Sequence, residues 1–120
     1  MQDYRKLKVR EKAHRLTLAV YRATTNFPAS ELYGLTSQMR RSSSSIPTNI
    51  VEGCGRSSTA EFVRFLYVSL GSANELEYQI LLARDLGMIA PDVADELSSA
   101  AEEIKQMLSG LIASATTSRG

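Results

Sequence analysis

The chain has 120 residues, of which 43% are hydrophobic and 22% are charged, and its net charge is +1. This composition fits one globular domain spanning residues 1–120. A single Cys and a single His exclude an internal disulfide and a Cys/His zinc cluster. The basic N-terminal segment lacks the apolar centre of a signal peptide, and no apolar run is long enough to span a membrane, so we expect a cytoplasmic protein.

The first predicted helix covers residues 8–25. Its apolar positions recur at spacings of three and four, which is typical of one buried helix face. This face consists of Val9, Ala13, Leu16, Val20 and Ala23. Proline cannot continue the helical hydrogen-bond ladder, so Phe27-Pro28 marks the end of the helix.

The second predicted helix covers residues 33–54. Its apolar face consists of Leu35, Met39, Ile46 and Ile50. Pro47 lies inside this helix and should kink it or leave a gap in its hydrogen bonds. Four consecutive serines, residues 42–45, precede the proline. Their small side chains fit close helix packing, and exposed hydroxyls could instead contact phosphates.

The third and fourth predicted helices cover residues 58–86 and 91–113. Ser58 and Glu61 form a capping box at the start of the third helix, and Gly87 suits its end. Pro91 is a favoured first residue of a helix. The buried face of the third helix is predicted to contain Phe62, Leu66, Ser69, Ala73, Leu76, Ile80 and Ala83. That of the fourth is predicted to contain Val93, Leu97, Ala100, Ile104, Leu108 and Leu111. Residues 114–120 are predicted to fray.

Four helices joined by short turns predict an all-α, antiparallel up-down-up-down four-helix bundle. Several apolar side chains lie off the predicted buried faces, and one small core has no room for all of them. These side chains are Leu18, Tyr21, Val63, Tyr67, Leu70 and Tyr78. Their presence predicts self-association of the chain.

Charge is distributed unevenly along the chain. Residues 1–41 hold nine Lys and Arg against three Asp and Glu, whereas residues 42–120 hold five against ten. The densest basic cluster, which is our candidate RNA-binding site, contains Lys6, Lys8, Arg10, Lys12 and Arg15. The asymmetry fits a basic surface for an anionic partner, and it also fits attraction between oppositely charged helices.

A polar stripe on the second helix forms a second candidate site. Arg41, Asn49, Glu52 and Arg56 follow helical spacing, offset from the apolar face. We interpret them as an interhelical network with Glu75, Asn74 and Gln79 on the third helix, in which pairing lowers the cost of burial. An exposed ligand site is the alternative interpretation.

Signals for catalysis are weak. Glu11 and His14 match one half of a di-iron motif, but His14 is the only histidine and the second half is missing. Cys54 has no histidine near it in the sequence, and the acidic residues form no facing pair of metal-binding motifs. We therefore predict no enzyme activity, no metal and no cofactor.

A series of motifs is shared with one family. In chain order these are residues 27–28 (Phe-Pro), 31–35, 38–41, 45–53 (SIPTNIVEG), Arg56, 61–62, 65–66 and 71–76 (GSANEL). With them the chain resembles the four-helix bundle proteins encoded in intervening sequences of bacterial 23S ribosomal RNA genes. The resemblance implies a cytoplasmic homopentamer without known enzyme activity. A more distant resemblance is to the accessory variability determinant of diversity-generating retroelements, which is strongly basic and binds nucleic acid.

Two functions remain open from the sequence. The first is a non-catalytic protein that binds ribosomal or other structured RNA through its basic first helix. The second is a scaffold or protein-interaction module that binds no nucleic acid. A ring of identical subunits would present several copies of a weakly binding basic patch to the same RNA. For this reason RNA binding is the function to test first.

Overall fold

The computed structural model describes residues 4–117. Within that range the chain forms four α-helices and one short 3-10 turn at Ala29–Glu31. The helices are α1 (Tyr4–Thr24), α2 (Leu35–Cys54), α3 (Thr59–Asp85) and α4 (Pro91–Thr117). The molecule measures 50 × 24 × 18 Å, the shape of an elongated bundle. No helix in the described part of the chain is long and apolar enough to cross a membrane.

The predicted four-helix, all-α fold is confirmed. Each helix packs against its neighbours in the sequence, and α1 also packs against α4, so the four helices form a closed square. Hydrogen-bonded partners run in opposite directions along adjacent helices, as they do between antiparallel neighbours. Between α1 and α2 these pairs are Thr17 with Ser43 and Thr24 with Arg40. Between α2 and α3 they are Ser42 with Glu75 and Ser45 with Ser72, and between α1 and α4 they are Arg5 with Ser114 and Lys12 with Glu103.

One continuous aliphatic core lies between the helices. Nearly every residue predicted to face the core is buried, because the three- and four-residue spacing places these side chains on one face of each helix. The exceptions, Ala23, Val93 and Ala100, are partly buried and pack against the core. Val63 and Leu70 also pack there, which corrects the prediction that they lie outside it.

The structure extends α1 and α4 beyond their predicted ends. α1 begins at Tyr4 instead of residue 8 and ends at Thr24. α4 continues to Thr117, so the predicted fraying is wrong for residues 114–117, while residues 118–120 lie outside the described part. The Thr116 and Thr117 hydroxyls donate to the carbonyls of Ile112 and Ala113 at 2.8 Å, so these polar side chains bond within the helix.

The N-terminus of α2 differs from the prediction. The helix begins at Leu35 instead of residue 33, because Gly34 has a non-helical backbone conformation. The Glu31 carboxylate accepts a hydrogen bond from the Leu35 amide at 3.0 Å, which satisfies one of the free N–H groups of the first turn. A carboxylate at this end of a helix is also favoured by the helix dipole.

The ends of α3 agree with the sequence signals to within a residue. Ser58 is the N-cap, and its hydroxyl accepts from the Glu61 amide at 3.1 Å. The Glu61 carboxylate contacts Arg64, and this hydrogen bond lowers the pKa of Glu61. Gly87 adopts the positive φ of 74° that the C-terminal turn requires.

Hydroxyl groups from neighbouring helices bond to α2 around Pro47. Proline has no N–H, so the Ser43 carbonyl loses its usual partner in the helix. The Thr17 hydroxyl on α1 lies 2.9 Å from that carbonyl and 3.0 Å from the Ala13 carbonyl of its own helix, so its one hydrogen is shared between the two acceptors. On the opposite side, the buried Ser69 hydroxyl of α3 donates to the Ile46 carbonyl at 2.8 Å. The proline thus marks a place where α2 is fixed to both of its neighbours.

A close approach of α2 and α3 occurs at Gly53. A Cβ atom at this position would lie 3.0 Å from the Phe65 Cβ and 3.3 Å from the Phe62 carbonyl oxygen. Gly53 is buried at the C-terminal end of α2, one residue before Cys54. The absence of a side chain therefore permits the short distance between the two helices.

Candidate functional site

The basic residues of α1 do not share one surface. Lys8 and Arg15 are exposed, and neither forms an ion pair with any described residue. Lys12 points to α4 and binds the Glu103 carboxylate at 3.1 Å. Lys8, Lys12 and Arg15 line a shallow groove of about 250 Å³, together with Tyr4, Leu7 and Glu11. We call this groove the α1 basic groove.

Lys6 and Arg10 lie outside the α1 basic groove. The Lys6 ammonium sits 4.4 Å from the centre of the Phe62 ring, a cation–π contact that directs it to the start of α3. Arg10 is half-buried. The candidate RNA-binding set therefore divides, with Lys8, Lys12 and Arg15 together and Lys6 apart from them.

The polar stripe of α2 also divides, which corrects the expectation of one interhelical network. Glu52 and Arg56, at the C-terminal end of α2, bind each other at 3.3 Å. Both side chains are about half exposed. The Arg56 guanidinium also lies 4.8 Å from the Phe65 ring. Glu52 is therefore not a buried structural residue. An exposed ion pair of this kind contributes only about 0–1 kcal/mol to the stability of the fold.

Serine hydroxyls provide the polar contacts that do connect α2 to α3. Ser42 donates to the Glu75 carboxylate at 3.0 Å, and Ser45 and Ser72 share a hydrogen bond of 2.8 Å. Asn49 donates to the Ser45 carbonyl at 2.8 Å, so it supports this contact from within α2. Of the predicted network, Glu75 therefore bridges the helices directly and Asn49 supports a bridge.

An open polar cleft lies beside these hydrogen bonds, between α2 and α3. Its volume is about 270 Å³, and we call it the α2–α3 cleft. Its lining residues are Gln38, Arg41, Ser42, Ser45, Ser72, Glu75 and Gln79. Arg41 is exposed, and its guanidinium forms no hydrogen bond or ion pair with the described residues. The cleft thus contains an unpaired cation and a carboxylate.

A separate ion pair links α3 to α4. The Lys105 ammonium binds the Glu77 carboxylate at 2.6 Å and Glu102 at 3.4 Å, which raises the pKa of Lys105 chiefly through its hydrogen bond to Glu77.

Cys54 is exposed. The described residues contain no group of three or more His, Cys, Asp or Glu side chains placed to hold a metal.

Sequence reasoning missed several contacts that shape these surfaces. It did not identify Thr17 as the partner of α2, or Phe62 and Phe65 as cation–π partners. The position of Ser72 could have been predicted from the sequence. It lies three residues before Glu75 and seven before Gln79, so all three share one face of α3. The other contacts join residues far apart in the chain and depend on side-chain rotamers.

The fold and these surfaces define a small all-α bundle protein with a basic groove on its first helix and a polar cleft between its second and third. The chain belongs to the 23S rRNA-intervening sequence protein family, whose family model matches residues 5–110. This finding confirms the family indicated by the sequence motifs.

A solved structure from Bacteroides thetaiotaomicron is similar over most of the chain. It is described as a protein with unknown function from the S23 ribosomal protein family. The TM-score is 0.79 and the sequence identity is 26%, with coverage of 87% of this chain and 97% of that one. The curated proteins contain no match to this chain.

Proposed function

We propose that this protein is a non-catalytic, cytoplasmic homo-oligomer that binds structured RNA through the α1 basic groove. The observation that carries the proposal is the pair Lys8 and Arg15, which are exposed and form no ion pair with any described residue. Tyr4 is 73% exposed and lines the same groove. An aromatic ring beside unpaired cations suits contact with phosphates and unstacked bases.

The binding would rely on phosphate contacts. Lys and Arg side chains neutralise phosphates and release counterions, which supplies affinity without reading the base sequence. The family description refers to 23S rRNA, and the similar structure belongs to a family described as ribosomal, so ribosomal RNA is the natural first RNA to test. Each additional subunit would add another copy of the groove and increase the avidity.

Self-association is supported by apolar side chains on the outer face of α3. Tyr67, Tyr78 and Leu81 share that face by helical spacing, and they are 56%, 62% and 43% exposed. We expect sedimentation equilibrium at micromolar concentration to show several protomers, with a pentamer as the proposed state. Tyr67→Ser/Tyr78→Ser should shift the population to smaller species, whereas Tyr33→Ser, on a turn, should not. A parent protein that sediments as a monomer contradicts the proposed assembly.

The RNA-binding prediction uses the variant Lys8→Gln/Arg15→Gln. These two positions are preferable to Lys12, because replacing Lys12 would also break its ion pair with Glu103. We expect the variant to bind a ribosomal RNA stem-loop, which offers both phosphates and unstacked loop bases, about tenfold more weakly at low salt. The slope of log affinity against log salt should also fall by about 1 for each phosphate that the variant no longer neutralises. Fluorescence anisotropy at several salt concentrations measures both quantities.

A matched control removes the same charge elsewhere. Arg22→Gln/Arg41→Gln alters two exposed arginines outside the groove that form no ion pair with the described residues, and it should leave RNA affinity close to that of the parent. Equal weakening in both variants would indicate a general charge effect and would exclude the α1 basic groove as the site. Failure of the intact parent oligomer to bind RNA even at low salt would refute the RNA function, and the scaffold function would then take its place.

A further inference from the structure

The α1 basic groove also contains one carboxylate, that of Glu11. Glu11 is exposed and lines the groove between Lys8 and Arg15. It lies three residues after Lys8 and four before Arg15, so the Cβ atom of each cation is about 5–6 Å from that of Glu11. Even so, the Glu11 carboxylate forms no ion pair with any described residue. Its two oxygens are therefore free to accept hydrogen bonds from a ligand in the groove.

The groove has less positive charge than its basic residues suggest. The Lys12 ammonium is already bound by Glu103 at 3.1 Å, and Glu11 opposes a second cation. A continuous row of phosphates along the groove would be repelled where it passes the Glu11 carboxylate. A nucleobase, in contrast, is uncharged and can present N–H groups to a carboxylate. The charge pattern therefore favours a ligand that places phosphates at Lys8 and Arg15 and a base edge at Glu11.

Guanine is the RNA base whose Watson–Crick edge matches a carboxylate. Its N1–H and its exocyclic amino group lie side by side, so the two oxygens of one carboxylate can accept a hydrogen bond from each. Adenine and cytosine place an acceptor nitrogen beside their amino group, and uracil places its one N–H between two carbonyls. The guanine edge is available only where the base is unpaired, as in an RNA loop, because in a duplex cytosine occupies it.

We propose that the α1 basic groove recognises an unpaired guanine in an RNA loop and that Glu11 selects this base. The inference rests on the proposed RNA function and names the part of the RNA that the groove binds. Leu7, half-buried in the groove, lies one helical turn before Glu11 and offers an apolar surface to the face of the base. The exposed Tyr4 ring, a further turn away, can stack on a neighbouring loop base. Lys8 and Arg15 are about 10.5 Å apart along the helix axis, so they would bind phosphates on the two sides of the guanine nucleotide.

The test uses the intact protein and three RNA stem-loops that differ in one loop nucleotide. That nucleotide is guanosine, inosine or adenosine, and the rest of the loop is adenosine. Inosine lacks the exocyclic amino group of guanosine, while adenosine replaces the N1–H donor by an acceptor. We expect the guanosine loop to bind about tenfold more tightly than the adenosine loop, with the inosine loop between them, since a bidentate pair is lost in two steps. Fluorescence anisotropy at one low salt concentration measures the three affinities.

Glu11→Gln locates the selection at this carboxylate. The amide keeps the length of the side chain but presents one donor and one acceptor, which match the edge of adenine instead. The preference for guanosine should therefore fall from about tenfold to about twofold or less, or turn toward adenosine. Glu96→Gln is the matched control, because it removes an exposed carboxylate on α4, outside the groove, and should leave the preference unchanged.

The outcomes separate this inference from the proposed function. Equal binding of the three loops by the parent, or an undiminished guanosine preference in Glu11→Gln, overturns the selection of guanine by Glu11. The RNA function would still stand in that case, provided that Lys8→Gln/Arg15→Gln weakens binding to all three loops. Failure of the parent to bind any loop at low salt would refute the RNA function and this inference together.

Discussion

Gly53→Ala is expected to destabilise the bundle by about 1–2 kcal/mol, although alanine is the better helix former. The new methyl group would meet the Phe65 Cβ at 3.0 Å and the Phe62 carbonyl at 3.3 Å. Both atoms are fixed to the backbone of α3, so neither can move aside by a rotamer change. Separating two packed helices costs about 1–3 kcal/mol, which exceeds the gain of up to about 1 kcal/mol in helix propensity.

Gly110→Ala is the matched control for this prediction. Gly110 is exposed within α4, and a Cβ there would meet nothing within 4 Å. This substitution should stabilise the protein by about 0.5–1 kcal/mol, since it adds helix propensity without crowding. Urea denaturation of both variants measures the two free energies. If both variants gain stability to the same extent, the helices separate without cost and the close approach has no structural importance.

Thr17→Val is expected to cost about 1–3 kcal/mol, because it leaves the Ser43 carbonyl without its hydrogen bond from Thr17. Valine has nearly the shape of threonine, so the core packing is retained while the hydroxyl is removed. The carbonyl needs this donor because Pro47 supplies no N–H. The size of the effect should therefore depend on which residue occupies position 47.

A double-mutant cycle tests that dependence. Pro47→Ala restores an N–H four residues after Ser43, so α2 can satisfy its own carbonyl. In that background Thr17→Val should cost less than about 1 kcal/mol. Chemical denaturation of the parent, both single variants and the double variant gives the coupling energy. An equal cost of Thr17→Val in both backgrounds would show that Thr17 acts through packing alone.

The helices and their buried faces could be predicted from the sequence because both follow local rules. Spacings of three and four placed Leu66, Leu76 and Ile80 in the core, and Ser58 marked the start of α3. The extension of α4 to Thr117 was missed, because its Ser/Thr-rich end suggests fraying when tertiary packing is unknown. The packing of α1 against α4, which includes the hydrogen bond from Arg5 to Ser114, favours helix there instead.

The polar surfaces were harder to predict than the core. Helical spacing showed that Glu52 and Arg56 share a face, but it did not determine whether they bind across helices or within one segment. They bind each other, because a Glu and an Arg four residues apart meet without another helix. Similarly, helical spacing correctly grouped Lys8, Lys12 and Arg15, while the orientation of Lys6 depends on Phe62, which is 56 residues away in the chain.

The packing of α1 against α4 has a consequence for how the bundle assembles. Lys12 and Glu103 are 91 residues apart in the chain, whereas the contact between Thr17 and Ser43 spans 26. Closing the longer loop costs about 1 kcal/mol more in chain entropy than closing the shorter one. On its side toward α4, the helix that carries the basic groove is therefore held by the contacts whose loop closure costs the most chain entropy in the bundle.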